Sequence, residues 1–246
     1  MLCARRNEGL YEHLIGVGEL SKKIISETKV LCKIAKSFSE NFATLAYYSG
    51  VFHDIGKMLY SYQKPLDKGC SEKDLSFPGH EILSAFITSR ILEYLDFFSE
   101  IEKASIVKAV LYHHQGLREV KVATYMLIDR IKRCRGKEPL VYYDDALTLL
   151  KQLAGKMNLD INVDEFLDKI ESDLVSGDIR LLLNNELVKY NKVLCSLMLN
   201  DMCKYISFRR ILTGVILISD TYVASIVDKA SSIYAQDIYT FVKQFK

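Results

Sequence analysis

Apolar residues recur at helical spacing along nearly the whole chain, and this periodicity limits the fold more than any other feature of the sequence. Alternating strand patterns with hairpin signals are essentially missing. The 246 residues contain only three prolines, Pro65, Pro78 and Pro139. A chain of this length folds as one large domain or two small ones. We predict an all-α fold, in which residues 1–246 form a single-domain helical bundle.

The predicted helices each repeat an apolar face every three or four residues. They cover residues 10–36, 40–57, 79–98, 100–115, 118–134, 139–157, 163–173, 178–203 and 207–230, with a last helix to about 244. The segment "SYQKPLDKGCSEKDLSFPG" at 61–79 collects Pro, Gly, Ser and charge, which predicts an exposed loop. Residues 140–205 hold no histidine and are a candidate helical insertion or lid.

Composition and charge exclude several classes of protein. Apolar residues make up 49% and charged residues 26%, which is typical of a globular and not a disordered chain. The net charge of +2 is too small to indicate a nucleic-acid partner by itself, although a local basic patch can still bind one. The longest uncharged apolar stretch, "ILTGVILIS" at 211–219, is too short for a bilayer. The N-terminus lacks a signal-peptide core. We expect a cytoplasmic protein with no membrane partner.

The six cysteines are scattered and form no CxxC pair, which argues against a zinc ribbon. They are Cys3, Cys32, Cys70, Cys134, Cys195 and Cys203. Because nothing else in the sequence indicates secretion, we expect them to be reduced, mostly buried and without chemistry.

The histidines all lie in the first half of the chain, each among apolar or small residues: His13, His53, His80, His113 and His114. One histidine on an apolar face is more often a core residue than a ligand. Five in such settings, with a doublet and the pair His53-Asp54 in "VFHDIGKMLY", favour metal binding instead. Burying these polar groups without partners is costly, and a shared cation compensates them.

Asp220 is the only charged residue between positions 211 and 227, in "ILTGVILISDTYVASIV". Its helical neighbours are all apolar, and a buried aspartate needs a partner. A metal ion is one such partner. The alternative is an aspartate that pairs with an arginine or caps a backbone segment.

This ordered set of histidines and aspartates resembles the HD superfamily of metal-dependent phosphohydrolases. Within it, the chain is most similar to the stand-alone HD nuclease of type I CRISPR interference, which is separate from its helicase. The resemblance runs from about residue 10 to 230, and "HHQG" is similar to the HH-G element of the CRISPR nucleases. It implies an HD-type bundle with a dinuclear site, whose ligands are His13, His53, Asp54 and Asp220 for one metal, and Asp54, His80, His113 and His114 for the second.

Two neighbouring residues cannot face one centre from a regular helix. His53 and Asp54 diverge by roughly 100°, so the helix must end or bend there, and Gly56 allows this. The resemblance implies that Asp54 bridges the two ions, and we predict that it is catalytic. An imidazole-rich site favours Mn, Fe, Co or Ni over Mg, but family members accept several ions, so the two divalent metals stay open among all five. Lys57 is also predicted to be catalytic, with its ammonium on a substrate phosphate; the alternative is a solvated lysine near a helix end.

A basic segment, "DRIKRCRGK", and the residues after the histidine doublet are candidate nucleic-acid contacts. The residues are Arg118, Lys121, Lys132, Arg133 and Arg135. The alternative is a solvated helix face.

The function that the resemblance implies is a two-metal-dependent nuclease on single-stranded DNA or RNA, the cleaving subunit of a CRISPR antiviral system. Its implied partners are single-stranded nucleic acid, a separate CRISPR helicase and an RNA-guided surveillance complex. A phosphohydrolase of nucleotides or cyclic dinucleotides is the alternative. A non-catalytic helical adaptor is a third hypothesis.

Overall fold

Helices dominate the residues that the computed structural model describes, which confirms the all-α prediction and the single helical domain. The described residues are 1–64, 70, 76–114, 119–134, 140–141, 143–176, 184–185, 188–190, 192–193, 199–228 and 233–243. No helix within these ranges is both long and apolar enough to cross a membrane.

A two-stranded hairpin precedes the helices, with β1 at Cys3–Arg5 and β2 at Glu8–Gly9. The helices are α1 Leu10–Glu27, α2 Lys29–Lys36, α3 Phe42–Phe52, α4 Tyr60–Gln63, α5 His80–Ile91, α6 Glu100–Tyr112, α7 Val120–Cys134, α8 Tyr143–Met157, α9 Val163–Ser176, α10 Leu199–Asp228 and α11 Ile233–Lys243. Short 3-10 turns cover Ile55–Met58 and Leu92–Tyr94.

Helices α1, α3, α6 and α10 pack against one another, and α5 packs against α6. The closest approach is between α1 and α3, where Gly18 lies against Gly50. A Cβ built on Gly50 would lie 2.8 Å from the Cα of Gly18, and one on Gly18 would lie 2.5 Å from the Val51 side chain. This contact brings together the histidines that each helix carries near that crossing.

Several predicted helix bounds differ from the structure. The helix predicted over 10–36 is two helices, because Thr28 adopts an extended conformation (φ −80°, ψ 101°) between them. The last long helix begins at Leu199 rather than at 207. Much of the predicted helix 178–203 lies outside the described residues. The assignment of 140–205 to an insertion or lid stays a prediction.

The hairpin carries no strand signal in the sequence, because strands of three and two residues are too short to alternate. Its turn contains Asn7 at a positive φ of 58°, a conformation that asparagine tolerates better than most residues.

The expectation that all cysteines are reduced is wrong for one pair. Cys3 and Cys70 form a disulfide across 67 residues, which ties β1 to the segment that follows α4. Their separation in the sequence hides the pairing, because only the fold brings them together. Cys32, Cys134 and Cys203 are free, and Cys195 lies outside the described residues.

Candidate metal centre

All seven side chains that the sequence predicts as metal ligands meet at one place in the structure. They come from α1, the end of α3, the start of α5, the end of α6 and the middle of α10. They form two groups, and within each group the candidate ligand atoms lie within 4.8 Å of one another. The groups are His13, His53, Asp54 and Asp220, and Asp54, His80, His113 and His114.

The backbone at Asp54 explains how two adjacent residues face one centre. Helix α3 ends at Phe52, His53 keeps helical angles, and Asp54 turns to φ −115° and ψ 9° before the 3-10 turn. The break therefore comes before Gly56 and not at it. Gly56 instead allows close packing, since a Cβ there would lie 2.5 Å from the His80 carbonyl oxygen and 2.6 Å from the Ser84 nitrogen.

Asp54 is buried and divides its two oxygens between the two groups. Its Oδ1 lies 2.8 Å from His80 Nε2 and 3.5 Å from His113 Nε2. Its Oδ2 lies 3.3 Å from His13 Nε2 and 3.4 Å from His53 Nε2. A carboxylate in this position can bridge two cations.

Asp220 completes the first group. Its Oδ1 lies 3.4 Å from His13 Nε2 and 3.8 Å from His53 Nε2, and these two ring nitrogens are 3.3 Å apart. The spot therefore gathers two carboxylate oxygens and two imidazole nitrogens, which are the donors that divalent transition metals prefer.

Three histidines are oriented by the backbone, because each donates its Nδ1–H to the carbonyl oxygen three residues earlier. The pairs are His53 with Gly50 at 2.7 Å, His80 with Phe77 at 2.5 Å and His113 with Val110 at 2.5 Å. In the neutral ring this leaves the Nε2 lone pair to face the cluster, as in histidines that bind metals.

The second group is the clearest test of whether the residues fit a metal. Four of its atoms are fully buried and have no hydrogen-bond partner among the residues that the structure describes: Asp54 Oδ1, His80 Nε2, His113 Nε2 and His114 Nδ1. Buried acceptors without donors are unfavourable, and a shared cation satisfies them together. The donor set of five imidazoles and two carboxylates thus fits two divalent ions.

The charges of the second group also fit metal binding. Burial lowers the pKa of His113, and burial together with the neighbouring histidines lowers the pKa of His114 to about 2. Both rings are therefore neutral at physiological pH, which is the form that binds a metal.

In the first group, hydrogen bonds and neighbouring charges favour the charged forms of the ligands. Burial alone would lower the pKa of His13, but hydrogen bonds with Asp220, Asp54 and Glu8 raise it to about 9. Burial alone would raise the pKa of Asp54, but the charges of His53 and Lys57 hold it well below its usual range. The carboxylates stay ionised, and His13 must lose a proton when a metal binds.

Lys57 lies inside the centre. Its residue is only 7% exposed, its ammonium lies 2.5 Å from Asp54 Oδ2, and it donates to the Ala4 carbonyl oxygen at 3.0 Å. The alternative of a solvated lysine therefore does not describe it. Its contact with a substrate phosphate stays a prediction.

Arg5 and Glu8, both on the hairpin, join the centre without having been predicted. Arg5 donates to Asp220 Oδ1 at 2.7 Å and pairs with Glu8 Oε2 at 2.7 Å, while Glu8 Oε1 lies 3.2 Å from His13 Nδ1. The sequence left open whether Asp220 binds a metal or pairs with an arginine. In the structure it both contacts Arg5 and lies among the candidate metal ligands. No periodic pattern marks the hairpin, so no sequence signal indicated these two residues.

The three described residues among the predicted nucleic-acid contacts do not join the centre. Lys121 and Lys132 are exposed on α7, and Arg133, 77% exposed, pairs with Asp129 at 2.6 Å. No contact between these three side chains and the ligand cluster is present among the described residues. Arg118 and Arg135 lie outside the described residues.

Comparison with known proteins identifies one family that matches the chain. A family model described as "HD domain" matches residues 10–154, more than half of the 246 residues. The match covers six of the seven candidate ligands, and the fold adds Asp220 from α10. No curated protein and no solved structure matches the chain.

Proposed function

Because the chain belongs to the HD domain family, we propose that this metal-dependent hydrolase is a nuclease that cleaves phosphodiester bonds of single-stranded DNA or RNA. Family membership supports the coarser activity, a metal-dependent phosphohydrolase. The "HHQG" element and the resemblance to the stand-alone CRISPR nuclease support the finer one. We propose on the same grounds that it works with a separate helicase and an RNA-guided surveillance complex in antiviral defence.

The observation that carries the proposal is the division of Asp54 between two ligand groups. One carboxylate placed between two sets of donors is what a two-ion phosphodiesterase requires. When bound, two divalent ions supply Lewis-acid stabilisation of phosphoryl oxygens and lower the pKa of a water near neutrality. His13, His53 and Asp220 would hold one ion.

Two further side chains, those of Arg5 and Lys57, would contact the substrate directly. Arg5 keeps about a fifth of its side chain exposed while one nitrogen contacts Asp220, so its guanidinium can donate to a phosphate oxygen from the hairpin. The Lys57 ammonium contacts the Asp54 carboxylate, and it would lie beside the reacting phosphate. Burial of the ligands strengthens these charge interactions.

The adaptor hypothesis conflicts with the second ligand group. Purely structural histidines would be expected to satisfy their ring nitrogens with protein donors and acceptors, whereas three buried ring nitrogens there have no such partner within the described part of the chain.

A substrate panel tests the proposal. The protein is loaded in turn with Mn, Ni, Co, Fe or Mg and incubated with single-stranded DNA, RNA, a cyclic dinucleotide and mononucleotides. We expect cleavage of single-stranded nucleic acid, and no cleavage by the Asp54→Asn variant. The exposed Asp129→Asn variant, which also loses one carboxylate, is the matched control and should retain activity. Hydrolysis of only nucleotides or cyclic dinucleotides would replace the nuclease with the alternative phosphohydrolase.

A further inference from the structure

A second pair of cations lies outside the metal centre, where α6 packs against α10. Lys108 on α6 is only 4% exposed, and Arg209 on α10 is half-buried. Both lie over the ring of Tyr112: the Lys108 Nζ is 5.9 Å and the Arg209 Cζ is 5.0 Å from its centroid. The two positive charges therefore share one aromatic surface.

Neither cation has a counter-charge among the described residues. No ion pair or side-chain hydrogen bond of Lys108 or Arg209 is present there, whereas Lys103 on the same helix pairs with Glu100 at 3.4 Å. Burial and the charge of Arg209 lower the pKa of Lys108 to about 8. Two adjacent, partly desolvated cations without a carboxylate form a site that is complementary to an anion.

The position of the pair relates it to the metal centre. Tyr205 of α10 donates to the Ala104 carbonyl oxygen of α6 at 3.5 Å, and Arg209 lies over Tyr112, so the two helices run side by side in the same direction. Both lead toward the ligands: α6 ends directly before His113, and α10 continues to Asp220.

The rise of an α-helix gives the approximate distance between this pair of cations and the metal ligands. Lys108 precedes His113 by five residues, or about 8 Å, and Arg209 precedes Asp220 by eleven residues, or about 16 Å. A strand held at the metal centre can reach this distance with a phosphate a few nucleotides away, whereas the single phosphate of a mononucleotide held by the metals cannot.

We propose that Lys108 and Arg209 form a phosphate subsite that binds the substrate strand away from the cleaved bond. This inference rests on the proposed nuclease function and deepens it, because it selects a polynucleotide over a nucleotide as the substrate. Arginine offers a planar fork of donors to the phosphate oxygens, and lysine adds a point charge.

The test compares Lys108→Met and Arg209→Gln with matched controls on the same helices, Lys103→Met and Arg210→Gln. Arg210 is the exposed neighbour of Arg209, so its replacement changes the net charge equally. KM and kcat are measured with oligonucleotides of two, four and eight residues and with bis(p-nitrophenyl) phosphate.

We expect each subsite variant to raise KM for the octanucleotide about tenfold, the loss of one charge-assisted contact, with kcat unchanged. The salt dependence of octanucleotide binding should weaken by about 0.7 in log–log slope per cation removed. Hydrolysis of the small phosphodiester and all values for the controls should stay the same. Lys108→Arg, which keeps the charge, should restore most of the octanucleotide KM.

Two kinetic results would overturn the subsite. An unchanged octanucleotide KM would show that neither cation binds the strand, and equal losses on the octanucleotide and the small phosphodiester would show a packing role. If the wild type cleaves no nucleic acid, the proposed function fails, and fluorescence anisotropy with a labelled octanucleotide then decides the subsite alone. Equal affinity of wild type and Arg209→Gln would reject it, and a weaker affinity of the variant would support it.

Discussion

Replacing Asp54 with asparagine removes one charge from the centre and leaves its shape nearly unchanged. The carboxylate is buried, its two oxygens face four histidine nitrogens, and Oδ2 also lies 2.5 Å from the Lys57 ammonium. The substitution therefore weakens both ligand groups at once. We expect turnover to fall to background and both ions to bind less tightly.

The same substitution has a cost that does not depend on metal. With Asp54 neutral, the Lys57 ammonium stays buried without its counter-charge, and breaking a buried pair in this way costs about 3–5 kcal/mol. For a chain of this size that corresponds to a loss of about 10 °C in melting temperature. Differential scanning calorimetry of the chelated protein measures it.

Asp129→Asn is the matched control for this experiment. Asp129 pairs with Arg133 at 2.6 Å, but both side chains are more than half exposed, so the free energy of unfolding should change by less than about 1 kcal/mol. If Asp54→Asn is as stable as this control without metal, and also retains two ions and full turnover, the bridging role assigned to Asp54 is wrong.

Three further changes test separate parts of the centre. Glu8→Gln removes the carboxylate that lies 3.2 Å from His13 Nδ1. Calorimetric titration should then show that one of the two ions binds about 10–100-fold more weakly. Equal weakening of both ions would contradict the placement of Glu8 beside only one of them. Gly50→Ala forces a Cβ against Gly18 and should cost about 1–3 kcal/mol in urea unfolding; an unchanged midpoint would refute the close approach. The pKa of His13 is raised from 6.5 to about 9 in the folded chelated protein. Protonated His13 therefore contributes its full stability below pH 6.5, and this contribution is lost as the pH rises through 9. The melting temperature should fall across this window, and a rise would contradict the assignment.

The ligands were predictable because the histidines and Asp220 lie among apolar or small residues in the sequence, and because their order resembles that of the HD superfamily. Asp220 illustrates this, since it is the only charge in a seventeen-residue stretch and reaches the centre from α10, beyond the region that the family model matches. The all-α fold was predictable for a related reason, since helical periodicity persists through most of the chain.

The residues that support the ligands were not predictable. Arg5 and Glu8 reach the centre through a hairpin whose strands are too short to alternate, and Cys3 meets Cys70 only through the fold. Lys108 and Arg209 lie on helices where a lysine or arginine normally faces solvent. The subsite that we propose for them rests on burial and on the lack of a nearby carboxylate among the described residues, and a single sequence records neither.

The central claim is that two ions share Asp54, and anomalous diffraction from crystals grown with Mn²⁺ tests it most directly. We predict two peaks per chain, one beside His13 and Asp220 and the other beside His80, with Asp54 between them. A single peak, or two peaks of which only one lies within bonding distance of Asp54, would contradict the account.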